Sequence, residues 1–251
     1  MRKKWWADFF DETFSDLTRE WRNEAYLGYL ADFLIEKFIL KKGSLLFDQC
    51  CGTGEISHAL AKKGIRVIGV DQSKKYIAKA RKTKLPCTFY AGDAFTFVTP
   101  EKCDAAVNWW TSFGLVEEDS QNIKMLKRVY ESLKPGGWFA LEYSNADYET
   151  KHFIERTEYK KRIKGGVLTS IREYKIDKAR GMKTSRWTYR YPSGKTVKKY
   201  GETRLYTPKD ITPMLRACGF RKIKILADID GNKVSKDHPR FLCLAQKPPK
   251  K

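Results

Sequence analysis

Several signals that would announce a chemistry by themselves are scarce or missing from this sequence. There are three histidines, His58, His152 and His238, and six cysteines with no Cys-x-x-Cys pair among them. Neither a zinc-site spacing nor a disulfide framework can be drawn from that set, so no metal is expected and the thiols are read as reduced. No apolar run approaches the ~20 residues of a membrane-spanning helix. The opening Met1-Arg2-Lys3-Lys4-Trp5-Trp6 has no apolar signal core, and acids follow at once. The expectation is a cytoplasmic protein. The Gly-x-Gly-x-x-Gly of a dinucleotide site is missing as well. There is no internal repeat, and no disordered tract is expected beyond the basic tail.

Acidic charge is also in short supply. Thirty Asp and Glu face fifty Lys and Arg, a formal net charge of +20. The imbalance is local: residues 151–204 hold 17 Lys and Arg against 5 Asp and Glu. Such a field attracts nucleic acid, anionic membrane or an anionic substrate, or else is a solvated lysine-rich surface. A chain of 251 residues suits one domain with an elaboration and can bury a sizeable core.

What is present is organised around Leu45 to Asp71. Leu45-Leu46-Phe47 reads as a buried strand ending in Asp48 and a tight loop, Gln49-Cys50-Cys51-Gly52-Thr53-Gly54. Ile56, Ala59 and Leu60 share one face of a following helix, which Gly64 closes. Val67-Ile68-Gly69-Val70 is a second strand with Asp71 at its tip. Glycines admit a ligand against the backbone, free N–H groups lie at the helix start, and a strand-tip carboxylate accepts ribose hydroxyls. Asp48 would repel a phosphate and welcome an ammonium or sulfonium. That pattern points to a cationic nucleoside, S-adenosylmethionine (SAM).

Around this unit the chain reads as a doubly wound α/β fold. Trp5, Trp6, Phe9, Phe10 and Phe14 form an aromatic cluster, either a lid or plain core. Tyr26, Leu30, Phe33, Leu34 and Phe38 repeat at helical spacing. Ser73 caps a basic helix to about Thr83. Further strands are expected at 87–91, 104–108 and 138–143, with a helix from Asp119 to Leu133 and a turn at Lys134-Pro135-Gly136-Gly137. The third strand ends in Gly92-Asp93-Ala94, where an acid and a small residue suit an adenine. The fourth runs into Asn108-Trp109-Trp110-Thr111-Ser112-Phe113-Gly114, at the expected crevice. From about 145 to 206 the segments 167–176, 184–191 and 196–206 alternate polar with apolar residues, as a small antiparallel insert would. Thr207 and Pro208 start a helix ending at Gly219, and strands near 221–229 and 240–246 complete the sheet.

These residues carry a resemblance. The chain resembles class I SAM-dependent methyltransferases, and within them a widespread set of small bacterial members. The matching marks are Trp6 with Phe9-Phe10, the Asp48–Gly54 loop, Asn108-Trp109 with Thr111–Gly114, Leu133–Gly137, Arg204-Leu-Tyr-Thr207, Asp230-Gly231 and Pro239-Arg240. The resemblance implies a Rossmann-like seven-stranded sheet with helices on both faces, its last strand antiparallel, formed by residues 1–144 and 207–251, with 145–206 as a cap. It implies SAM contacts at Asp48, Cys50, Gly52 and Gly54 around the methionine part, Asp71 and Gln72 at the ribose, Asp93 and Ala94 at the adenine, and Asn108 beside the sulfonium. Cys50 stands where the usual first glycine of the loop would be.

Three functional readings remain at this stage. One is methyl transfer to nitrogen or oxygen of a small-molecule acceptor, which the insert favours. Another is transfer to RNA or another polyanion, which the charge favours. The third is a SAM- or nucleotide-binding module without turnover, or a nicotinamide oxidoreductase. Candidate substrate contacts are Trp109, Trp110, Arg204, Tyr206 and Arg240; either arginine suits a carboxylate or phosphate, or is a surface ion-pair partner. His152 is the candidate general base and His58 is read as structural.

Overall fold

The computed structural model describes residues 4–11, 14 and 23–250. The aromatic cluster at the N-terminus supplies a short helix α1 (Trp6–Phe9), and α2 spans Glu24–Phe38. Asn23 caps α2 by accepting the Tyr26 N–H at 2.8 Å. Then come β1 (Leu45–Gln49), α3 (Glu55–Lys62), β2 (Arg66–Asp71), α4 (Lys74–Ala80), β3 (Cys87–Ala91) and β4 (Cys103–Asn108). Next follow α5 (Asp119–Ser132), β5 (Leu133–Ser144) and α6 (Ala146–Lys151). The insert is β6 (Arg156–Ile163), β7 (Gly166–Asp177), β8 (Met182–Arg190) and β9 (Thr196–Arg204). The chain ends with α7 (Pro208–Ala217), β10 (Arg221–Leu226) and β11 (Arg240–Gln246).

Seven strands form one sheet in the order β10-β11-β5-β4-β1-β2-β3. The pairs from β3 to β5 are parallel, and β11 runs antiparallel to both β5 and β10. Alternation along β1 explains the layering. Leu45 and Phe47 face a core shared with Met125, Leu126 and Val129 of α5 and Ile211 and Leu215 of α7. Leu46 faces the opposite core, with Leu30 and Leu34 of α2 and Ile56 and Leu60 of α3. Each fully buried side chain of this kind contributes about 1.5–3 kcal/mol, so both faces of the sheet are held down.

Two stretches differ from the sequence expectation. Lys134–Gly137 is not a free turn: β5 already begins at Leu133, opposite Cys103, and the register then shifts so that Trp138 faces Ala105. Gly136 sits at φ +82° inside that irregularity. The insert has a fourth strand, β6, and the four form a meander β6-β7-β8-β9. The missed strand reads Arg-Thr-Glu-Tyr-Lys-Lys-Arg-Ile and is largely exposed; an edge strand of that kind has almost no apolar alternation to detect.

The insert is tied to the main sheet at its base. The Arg204 N–H donates to the Gly114 carbonyl and the Leu205 N–H to that of Gly181, both at 2.8 Å. Arg180 pairs with Glu117 at 2.6 Å, and Lys183 with Glu149 at 2.7 Å. The N-terminal segment ties it again. Buried Lys199 of β9 pairs with Asp11 at 2.7 Å and donates to the Asp8 carbonyl at 2.9 Å. Phe9 packs on Trp187 with ring centroids 5.1 Å apart. Among the described residues, no helix is long and apolar enough to cross a membrane.

Candidate active site

The loops after β1, β2, β3 and β4, the middle of α5 and the N-terminal segment line a cavity. Its lining includes Cys50, Cys51, Gly52, Thr53, Asp71, Gln72, Asp93, Ala94, Phe95, Trp110 and Met125. The loop is folded for close approach. Gly54 stands at φ +84° as the cap before α3, where a side chain is strained, and a Cβ there would come 3.0 Å from His58 and Phe89.

Asp71 holds the loop to its strand tip. It accepts the Gly52 N–H at 3.0 Å and the Ser73 N–H at 2.9 Å. Burial raises its pKa from the ordinary carboxylate value, against the pull of those two N–H groups. Ser73 in turn caps α4 by accepting the Tyr76 N–H at 3.3 Å. On the far wall Asp93 accepts the Phe95 N–H at 2.9 Å and pairs with Lys4 at 2.6 Å.

Six of the nine expected cofactor residues line this cavity: Cys50, Gly52, Asp71, Gln72, Asp93 and Ala94. The other three lie behind its wall. Asp48 is buried and accepts the Ser57 hydroxyl at 2.6 Å. Desolvation raises its pKa to about 7, with Glu55 and Asp71 adding to the rise. The acids framing the cavity are therefore Asp71 and Asp93, with Asp48 beneath the loop. Asn108 is buried and donates to Gln49 Oε1 at 3.0 Å, while its own Oδ1 has no hydrogen-bond partner among the described residues.

Sequence reasoning passed over Gln49. Its Nε2 donates to the Met125 carbonyl at 3.1 Å and to the Ala94 carbonyl at 3.3 Å. One buried amide thus joins β1, β4, α5 and the loop after β3. Phe95 was missed too, although it directly follows Asp93-Ala94; it meets Trp6 at 6.1 Å between centroids. Trp6, Phe10 and Phe14 line the cavity, and Phe9 packs on Trp187 of the insert.

A second cavity adjoins the first. The two share Phe10, Phe14, Trp110 and Leu115. Its other walls are Trp5, Phe9, Thr111 and Arg240 on one side and Arg172, Ser185, Trp187, Gly201 and Thr203 of the insert sheet on the other. Trp110 and Thr111 stand consecutively at φ +57°. Each such non-glycine residue costs about 1–2 kcal/mol, so neighbouring groups must hold them. The Trp110 N–H donates to Glu142 at 2.7 Å, and Arg240 Nη2 lies 2.7 Å from Glu142 and 2.6 Å from Thr111 Oγ1.

The expected substrate residues separate accordingly. Trp110 and Arg240 line the second cavity. Trp109 is buried behind them. Arg204 and Tyr206 line neither cavity: Tyr206 is buried, and both hydrogen-bond Asp119, at 3.0 and 2.6 Å, where they join the insert to α5. His152 follows α6 and faces Asp237 at 3.3 Å, outside both cavities. His58 contacts the Ala80 carbonyl at 3.0 Å and the Thr83 hydroxyl at 2.7 Å, a packing role. All six cysteines are free thiols. Burial pushes those of Cys50 and Cys51 well above the ordinary value, which makes them poor nucleophiles.

Comparison with known proteins bears on the fold. A family model described as a methyltransferase domain matches residues 46–137. YqeM of Bacillus subtilis (strain 168), whose own methyltransferase assignment is provisional, is 26% identical over 222 residues, covering 85% of this chain and 87% of that protein. A SAM-dependent methyltransferase from Clostridium acetobutylicum ATCC 824 superposes with a TM-score of 0.78 at 19% identity, over 94% of this chain and 97% of that one. SAM-bound CalS10 from Micromonospora echinaspora, an amino pentose methyltransferase, superposes with a TM-score of 0.72 at 17% identity, over 94% and 97%.

Proposed function

We propose that this chain, a methyltransferase of the class I fold, takes its methyl group from SAM in the first cavity and delivers it to a nitrogen or oxygen of a small acceptor in the second. The observation that carries this reading is the common wall: Trp110, Phe10, Phe14 and Leu115 border both chambers. Donor and acceptor would meet there with water excluded. Positioning of this kind supplies up to roughly 7–11 kcal/mol of a barrier.

The donor residues divide by chemistry. Asp71, with Gln72, suits the ribose hydroxyls, and Asp93 with Ala94 and Phe95 suits the adenine. Cys50 and Gly52 leave room for the methionine part, with Gly54 shaping the loop behind. Asp48 and Asn108 lie behind the wall and would act on the cation through space and through the loop. When bound, SAM supplies an electrophilic methyl: the acceptor lone pair bonds the carbon, the carbon–sulfur electrons stay on a neutral thioether, and the acceptor's proton goes to solvent. Among the described residues, the lining of the second cavity holds no histidine or carboxylate. The two cavities and the absence of a described membrane-crossing helix fit a small-molecule enzyme of the cytoplasm. CalS10 shows that this fold serves an amino sugar, but the likeness is one of fold.

Calorimetry with SAM, its demethylated product S-adenosylhomocysteine and NAD tests the donor site. SAM and the product should bind and NAD should not. Asp71→Ala should weaken SAM by roughly ten- to a hundred-fold, the worth of charged hydrogen bonds; wild-type affinity in that variant overturns the assignment. Release of S-adenosylhomocysteine across a metabolite and tRNA panel then identifies the acceptor class. A polyanion reading is favoured by exposed Arg156, Lys160, Arg162, Arg190 and Lys198 on the insert. It requires RNA binding that falls steeply with salt. Tight SAM binding with no product from any acceptor would favour a binding module.

A further inference from the structure

The N-terminal segment reaches three parts of the molecule through one residue. The Asp11 carboxylate pairs with Lys199 Nζ of β9 at 2.7 Å and accepts the Phe14 N–H at 3.1 Å. Its main-chain carbonyl accepts the hydroxyl of Tyr76. Tyr76 and Phe14 both line the first cavity. Asp11 therefore stands between the donor side of the molecule and the insert, although neither it nor Lys199 lines either cavity.

The strand β9 is shaped to receive this segment. Lys199 and Gly201 lie two positions apart, on one face of the strand. The Lys199 side chain is only 3% exposed, and its ammonium meets Asp11 and, at 2.9 Å, the Asp8 carbonyl. A lysine is buried at high cost unless it is paired. At Gly201 a Cβ would come 2.9 Å from Trp5 and 3.2 Å from Phe9, so a side chain there would push both rings off the strand. Trp5 in turn donates its indole N–H to the Leu115 carbonyl at 3.2 Å, and Leu115 lines both cavities. The bare position and the buried cation are separate features of β9, and both serve the same contact.

We propose that Lys199 is a positioning residue for the donor: through Asp11 it holds Trp6, Phe10 and Phe14 against the first cavity, so that a contact in the insert sets the affinity for SAM. This rests on the donor reading of that cavity. The pair suits the role because its two ends differ. Asp11 is 43% exposed while its partner is buried, so removing the lysine leaves a carboxylate that water solvates and no stranded charge. The loss then falls on the N-terminal segment and not on the insert sheet. The last strand of the insert, on this reading, completes the donor site as well as covering the acceptor chamber.

The test measures S-adenosylhomocysteine binding by calorimetry in wild type, Lys199→Met and Lys183→Met, with urea unfolding to show that each is folded. Lys183 lies on the same face of the insert, opposite Thr203, and pairs with Glu149 at 2.7 Å, so its loss controls for the removal of any ion pair there. Lys199→Met should weaken the ligand about five-fold or more and speed amide exchange at residues 7–10, whose N–H groups close α1. Lys183→Met should do neither. Asp11→Asn should weaken the ligand too, and the double variant with Lys199→Met should lose no more than the larger single loss. Where Lys199→Met fails to fold, Asp11→Asn carries the test. Wild-type affinity in Lys199→Met or Asp11→Asn, an equal loss in Lys183→Met, or additive losses in the double variant overturns the proposal. A wild type that binds neither S-adenosylhomocysteine nor SAM overturns the donor reading and this proposal with it, so the two failures are told apart.

Discussion

The backbone N–H of Trp110 donates to the carboxylate of Glu142 across 2.7 Å, from the tip of β4 to the body of β5. Glu142 is buried and also pairs with Arg240. It therefore holds the first of two consecutive left-handed residues in the wall between the chambers. Glu142→Ala should lower stability by about 2–3 kcal/mol, the cost of leaving partners of a buried charge unsatisfied. Glu142→Gln keeps one acceptor for Trp110 and should lose less. Urea unfolding of both variants measures this, and equal losses in the two would show that the Trp110 bond does not matter.

Asp48 makes stability depend on pH. Burial raises its folded pKa to about 7, against about 3.9 for an unperturbed aspartate. Between those values the folded chain holds a proton that the unfolded chain has lost, so stability from this group is full below about pH 4 and is lost as pH rises through 7. Asp48→Asn mimics the protonated form and keeps an acceptor for Ser57. The melting temperature of the ligand-free wild type should fall relative to that of Asp48→Asn between pH 5 and 8. Parallel curves would remove Asp48 as the cause.

Gly69 is where the second strand meets the loop. A Cβ there would lie 2.7 Å from Phe89 and 2.9 Å from Cys51 Sγ. Gly69→Ala should cost about 1–3 kcal/mol by overpacking and, because Cys51 belongs to the ligand-facing loop, should also weaken SAM. Adding Phe89→Leu should recover part of the stability, since the two positions touch. A double variant no better than the sum of its parts would show that the clash is relieved elsewhere.

Much of this was legible in the residues alone. The strand–loop–helix–strand of Leu45 to Asp71, the Ser73 cap and the end of the sheet at residues 240–246 follow from local periodicity and capping, which nearest neighbours in sequence decide. The cavity-lining roles of Asp71, Gln72, Asp93 and Ala94 were accessible because strand tips in a parallel sheet share one edge. Other features depend on distant partners. Asp119 meets Tyr206 across 87 positions, and that engagement removes Tyr206 and Arg204 from the candidate substrate contacts. Asp48 was expected beside the ligand, but Ser57 at the next helix turn draws it beneath the loop. Arg172 carried no local mark; only the pairing of β7 with β8 sets it on Trp187.

Phe10 and Phe14, from the first turns of the chain, form part of both chambers at once. A side chain that bounds two rooms cannot be moved for one alone. If the donor occupies one chamber and the acceptor the other, as proposed, whatever factor one ligand applies to the affinity of the other must be returned in equal measure.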